Sequence, residues 1–208
     1  MNLRQRLQQG LIALDLPLSD LQVDRLLDYL ILLGKWNKSY NLTAITDPEK
    51  MLCYHLLDSL SIYNAVKPAS SALDVGTGAG LPGIPLAIAM PDMKWTLLDS
   101  NGKKTRFLQQ ALAHCNINNA AVVKSRVEDY HAAEPFDIIV SRAYASLSGF
   151  VESVKHLSQP ETRLLTMKTS LDSTEAGALD GTKYLIEEIE LQIPGISSKR
   201  SLVMARQR

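Results

Sequence analysis

Long apolar stretches are missing from this chain of 208 residues. No window approaches the ~20 unbroken apolar residues that a membrane-spanning helix requires. The opening MNLRQRLQQG also lacks the apolar run of a secretory leader. Cysteine is scarce as well. Cys53 and Cys115 are the only two, with no CxxC and no Cys/His cluster around them. That excludes a disulfide framework and a zinc site and suits a reducing compartment. Charge of one sign is lacking too, since 22 basic residues face 22 acidic ones. The chain is no bulk polycation, so any nucleic acid it binds must meet a local patch. The expectation is a cytoplasmic protein with no membrane segment and no metal, acting as a monomer.

What is present divides in two. Residues 1–70 read as a helical extension. Leu3, Leu7, Leu11 and Leu14 share one helical face. Pro17 interrupts, and Ser19-Asp20-Leu21-Gln22 reads as a capping box ahead of Val23, Leu26, Leu27, Leu30 and Leu33. Asp47-Pro48-Glu49 marks another helix start, which runs through Met51, Leu52, Leu56 and Leu60. From residue 71 to 208 the rhythm changes. Ala72–Val75, Trp95–Asp99, Ala121–Lys124, Phe136–Ser141 and Leu164–Lys168 read as strands. Helical patterns over Ile84–Met90, Lys103–His114 and Leu147–Leu157 separate them. Such alternation predicts an α/β domain with a mostly parallel sheet and helices on both faces. KYLIEEIELQI and RSLVMARQR, joined by a PGISSK turn, predict an antiparallel C-terminal hairpin at the sheet edge. With no linker visible, the extension should pack on the sheet domain.

The densest signal is ALDVGTGAGLPGIPLA, with four glycines in eight residues and Asp74 just ahead of them. The strand ends at Val75, so the register is Gly76, Gly78 and Gly80. In a doubly wound sheet this turn is where ligands bind. Glycine lets a ligand approach the backbone with no Cβ in the way. A pyrophosphate would want helix N–H donors and no nearby anion, whereas Pro82 and Pro85 remove donors and Asp74 supplies an anion. S-adenosylmethionine has no phosphate, and its ammonium and sulfonium both gain from a carboxylate. Asp99 ends the second strand 23 residues after Gly76, near the offset at which an acid meets an adenosine ribose; capping the following helix is its other reading. Val127-Glu128 is placed to read the adenine edge, or Glu128 is a surface charge.

The fourth strand ends Ser141-Arg142-Ala143. The Asn/Asp-Pro-Pro-aromatic signature of adenine-N6 and cytosine-N4 methyltransferases is absent, and the chain contains no Pro-Pro. Cytosine-C5 methylation needs a thiolate, and neither cysteine lies at this strand end; both read as packing residues. Arg142 suits positioning: it can bridge a carboxylate or grip a guanine edge or a phosphate. The alternative is an arginine ion-paired at the sheet rim. A neutral aromatic nitrogen attacking a sulfonium methyl needs placement more than a base.

WNKSYNLTAI, HLLDSL, LDVGTGAGLPGIPLAI, LLDSNGKKTRFL, SRVED and FDIIVSRAYASL, in that order, resemble the bacterial small-subunit ribosomal RNA guanine-N7 methyltransferases, the RsmG or GidB family. The resemblance runs from about Trp36 to Lys168. It implies a Rossmann-like class I methyltransferase fold with a seven-stranded sheet, S-adenosylmethionine as donor, and a guanine of 16S rRNA as acceptor. It implies cofactor contacts at Gly76, Leu81, Val127, Glu128 and Arg142, which join Asp74, Gly78 and Asp99. Arg142 is then the residue placed at the chemistry. Lys35, Lys38, Lys103, Lys104, Arg106, Arg142 and Lys168 sit near the expected mouth toward RNA, with a solvated helix face as the alternative for Lys103, Lys104 and Arg106. Trp36 and Tyr40 read as core aromatics, with base stacking as the alternative. His55 reads as a structural histidine that would act, if at all, through RNA. A small-molecule or protein methyltransferase on the same fold, and a non-catalytic binding module, are the competing readings.

Overall fold

In the first strand, Leu73 and Val75 face one side of a sheet while Ala72 and Asp74 face the other, and each side finds its own apolar partner layer. A computed structural model of the chain describes residues 2–67, 69–142, 146–169 and 182–208. Seven strands form one sheet: β1 (Ser71–Val75), β2 (Lys94–Asp99), β3 (Ala120–Lys124), β4 (Ile138–Ser141), β5 (Arg163–Lys168), β6 (Tyr184–Glu190) and β7 (Ser201–Gln207). Their order is β3-β2-β1-β4-β5-β7-β6. Five are parallel; β7 runs antiparallel to β5, and β6 antiparallel to β7. The expected hairpin exists, with its second strand inserted beside β5 and its first at the edge. Central β4 is buried throughout, whereas edge β3 is partly open, as parallel strands covered on both faces require.

One face is covered by the N-terminal helices together with α6 (Gly83–Ala89) and α7 (Gly102–His114). α1 (Leu3–Ala13) opens on a capping box between Asn2 and Gln5, which the periodicity did not reveal. α2 (Asp20–Tyr40) carries the Ser19/Gln22 capping box read from the sequence. Its Leu26, Tyr29 and Leu33 are buried in the same core as Leu97, Phe107, Leu108 and Ile138. The 1–70 segment thus shares the sheet's core. Asp47 caps α3 (Pro48–Met51) as expected. The chain then widens into a π-helix over Leu52–Leu57 before α4 (Asp58–Leu60) and α5 (Tyr63–Val66). Such wide turns concentrate at functional sites. The other face is covered by α8 (Leu147–Val154), which continues as a 3₁₀ turn to Leu157. Cys53 and Cys115 are buried, and burial pushes the Cys115 thiol up to about 12, so it packs as an inert side chain.

Candidate S-adenosylmethionine crevice and nucleic-acid mouth

The sheet order changes direction at β1, which has β2 on one side and β4 on the other. The loops leaving β1 and β4 therefore flank a crevice. The glycines of the first loop divide by task. Gly76, Gly78 and Gly80 have φ of +66°, +63° and +92°. A Cβ on Gly76 would meet nothing within 4 Å, and one on Gly78 only the Gly76 carbonyl, at 3.8 Å. These two leave space for a ligand. A Cβ on Gly80 would strike Ile84 Cδ1 at 2.5 Å, and one on Gly83 would strike Leu97 Cδ2 at 2.3 Å and Asp74 Oδ2 at 2.7 Å. Those two allow the loop and α6 to pack down on the sheet.

Most of the loop's donors are already in use. The N–H groups of Gly76 and Thr77 go to the Leu98 carbonyl, and those of Gly80 and Leu81 to the Thr77 carbonyl. Gly78 N–H donates to Asp99 Oδ2 at 3.0 Å and Gly83 N–H to Asp74 Oδ2 at 2.8 Å. A phosphate cradle needs such groups free and convergent. The cradle here offers bare Cα atoms beside a carboxylate, which fits an adenosyl ligand without phosphate.

Asp74, expected beside the ligand's cationic tail, makes its hydrogen bonds within the protein. It is 1 % exposed and turned under the loop, where Oδ2 accepts from the Thr77 hydroxyl at 2.6 Å as well as from Gly83. Burial raises its pKa to about 6, against the lowering by these two donors and by Arg142. Leu81 likewise sends its side chain into the core. Asp99 stays at the rim of the loop, accepting from Gly78 and Asn101 with Lys104 Nζ at 3.8 Å. The helix-capping alternative for it is answered by Asn101, whose side chain accepts from Lys103 and Lys104. Val127 is buried and Glu128 exposed in the turn after β3.

At the β4 end, Ser141 donates to the Val75 carbonyl at 2.9 Å, tying the two loops' roots together. Arg142 follows, three-quarters buried; Ala143 lies outside the described residues. Its Nη1 donates to the Tyr54 carbonyl at 3.0 Å and to Asp58 Oδ2 at 3.3 Å. Arg200 Nε pairs with the other Asp58 oxygen at 3.3 Å and its guanidinium sits 5.8 Å from the Tyr54 ring centroid. The rim ion pair is therefore real, and its carboxylate comes from the N-terminal helical layer. Asp58, Arg200, Thr77 and Tyr29, whose hydroxyl donates to the Ala79 carbonyl at 2.7 Å, had no role in the sequence reading. The Asp74–Thr77 spacing was the one available signal, an acid reaching its i+3 hydroxyl across a turn.

His55, expected to act through RNA if at all, is enclosed within the protein. It is 3 % exposed, on the π-helix, with Nε2 2.9 Å from the Thr43 hydroxyl. Burial and the nearby Arg142 charge lower its pKa to about 4. The folded protein thus binds this proton less readily than the unfolded chain, so acid favours unfolding between pH 6.5 and about 4. Asp74 acts with the opposite sign over nearly the same range, because its raised pKa makes the folded state take a proton first. The difference between wild type and His55→Gln isolates the histidine. Denaturant titrations from pH 8 to 4 should show the gap moving in the variant's favour by about 3 kcal/mol. A pH-independent gap would show that His55 titrates normally.

Lys35, Lys38 and Lys103 are exposed and Lys168 partly so. Lys35 and Lys38 belong to the end of α2, and Lys103 to the start of α7. Trp36 is partly buried against the core, as read, but Tyr40 is 37 % exposed: the helix ends there, leaving its ring at the surface. Among the described residues no cluster of three or more His, Cys, Asp or Glu could hold a metal, and no helix is long and apolar enough to cross a membrane.

Comparisons with known proteins agree with this geometry. The profile of the family described as rRNA small subunit methyltransferase G, GidB, matches residues 22–203. The ribosomal RNA small subunit methyltransferase G of Ectopseudomonas mendocina (strain ymp) is 47 % identical over 203 residues, 97 % of this chain and 95 % of that protein. The protein of the same name from Nitrosococcus oceani is 46 % identical over 97 % of this chain and 94 % of its own length. Among solved structures, a ribosomal protein L11 methylase from Lactobacillus delbrueckii subsp. bulgaricus aligns with a TM-score of 0.55 at 18 % identity, covering 73 % of this chain and 77 % of that one. The fold is that of class I methyltransferases. With a family profile spanning most of its length and relatives near half identity, the chain belongs to the rRNA small subunit methyltransferase G (GidB) family.

Proposed function

We propose that the protein transfers a methyl group from S-adenosylmethionine to N7 of a guanine in 16S ribosomal RNA. The observation that carries this reading is the loop after β1, where the N–H groups of Gly76, Thr77, Gly78, Gly80, Leu81 and Gly83 are satisfied internally while Gly76 and Gly78 face open space. In a chain of this family, that loop is the seat of the donor. Bound there, S-adenosylmethionine supplies an electrophilic methyl group on a sulfonium. Gly76 and Gly78 give it room against the backbone. Asp99 retains lone pairs for the ribose hydroxyls beyond the Gly78 and Asn101 bonds, and Val127 with Glu128 flanks the adenine. Asp74, working from beneath, fixes the loop through Thr77 and Gly83.

N7 of guanine carries a free lone pair and loses no proton when it attacks. The bond to the methyl carbon forms as the carbon–sulfur bond breaks, and the electron pair leaves with sulfur. The requirement on the protein is alignment. Arg142 serves it as a positioning group, held by Tyr54 and Asp58 at the mouth where the guanine must enter. His55, with its lowered pKa, is neutral at pH 7 and enclosed, so it holds the helical wall through Thr43 and moves no proton. Lys35, Lys38, Lys103 and Lys168 contribute the local positive surface toward phosphates that a chain of zero net charge needs.

Mass-spectrometric mapping of 16S rRNA from a strain lacking this gene tests the acceptor. One 7-methylguanosine should disappear and return with the wild-type gene. Persistence of every such residue would reassign the substrate to a small molecule or a protein.

A further inference from the structure

Three aromatic rings make a continuous path from the core to the surface at the end of α2. Phe107, fully buried on α7, packs against Trp36 with centroids 5.7 Å apart. Trp36 stacks on Tyr40 at 4.9 Å with the planes 27° apart. Tyr40 ends the series and is 37 % exposed. The backbone there is pinned: Asn41 closes α2 in the left-handed region with φ of 50°. Asn37 clamps the returning chain by exchanging two hydrogen bonds with Thr43, each 2.9 Å. Thr43 in turn holds His55. A large aromatic fixed so firmly at a surface has an ordering cost already met, which favours binding through it.

We infer that Tyr40, backed by Trp36, is a stacking platform for an unpaired base of the RNA substrate, adjoining the guanine that reacts. This rests on the rRNA reading above. Two features favour RNA as the occupant. Lys35 and Lys38 are exposed on the same last turns of α2, and Lys103 and Arg106 are exposed on α7, the helix that carries Phe107. None of the four forms an ion pair among the described residues. An exposed π-face on helices that also carry unpaired cations is the chemistry that holds single-stranded nucleic acid. The position also fits a flanking nucleotide. Tyr29, on the same helix, touches the donor loop at Ala79, and Tyr40 lies eleven residues further, about 16 Å along the axis.

The test uses the full-length protein with 16S rRNA from the deletion strain, both free and in small ribosomal subunits. Tyr40→Ala should raise KM for the RNA substrate about ten-fold, and Tyr40→Phe should restore it. Affinity for S-adenosylmethionine by calorimetry and the melting temperature should remain those of wild type. In ultraviolet cross-linking, the wild-type peptide bearing Tyr40 should carry the nucleotide adduct. If wild type methylates rRNA while Tyr40→Ala shows unchanged KM, or loses stability without losing RNA affinity, the platform is refuted and the methyltransferase assignment stands. If wild type modifies no rRNA at all, that assignment fails first.

Discussion

Gly76→Ala should weaken S-adenosylmethionine binding about a hundred-fold while costing the fold only 1–2 kcal/mol, roughly the penalty for an L-residue in the left-handed region. The added methyl meets no protein atom, so only φ strain falls on stability, whereas the methyl projects into the space proposed for the donor. Gly83→Ala makes the contrasting case. Its methyl would stand 2.3 Å from Leu97 Cδ2 and 2.7 Å from the Asp74 oxygen that accepts the Gly83 N–H. Both neighbours are buried, so overpacking and a disturbed acceptor together should cost about 3–4 kcal/mol. Denaturant unfolding beside calorimetric titration reads both effects. Equal losses of stability and affinity in the two variants would refute the division between ligand-facing and packing glycines.

Arg142→Ala should be the most damaging change at the mouth. Asp58 is 4 % exposed, and burial raises its pKa even though two arginines lower it. Desolvation thus outweighs the two ion pairs, and the group adds little net stability as it stands. Removing one partner is another matter, because the carboxylate stays buried with Arg200 alone. A loss of about 3 kcal/mol is expected, together with a fall in methyl transfer of a hundred-fold or more. Arg142→Lys keeps the charge but gives up the guanidinium geometry; it should recover part of the stability and little of the rate. Stability of Arg142→Ala within 0.5 kcal/mol of wild type would show that the ion pair is incidental.

Much of this architecture was readable in the residues. The strands from Ala72 to Lys168 followed from apolar runs between turn residues, and the cap at Ser19 from its partner three positions on. The glycine register was fixed because the strand had to end at Val75. What escaped depends on distance in the chain. Asp58 meets Arg142 and Arg200 across 84 and 142 positions, and no local pattern encodes such a meeting. The widened turn at Leu52–Leu57 leaves no mark in a 3.6-residue periodicity. Asp74 was visible from its place before the glycines, but its hydrogen bonds to Thr77 and Gly83 under the loop were not. Tyr40 shares the helical face of Trp36, so spacing alone made both look interior. The helix end at Asn41 is what brings the second ring out.

The shared core of α2 and α7 has a consequence for biosynthesis. Leu33 leaves the ribosome 75 residues before Leu108, with which it shares that core. At 5–20 residues per second that is about 4–15 s of elongation. Until that interval ends, the leucine stripe of α2 lacks α7, which will help enclose it. An enzyme that modifies ribosomes therefore begins its own life with a sticky nascent surface held beside one.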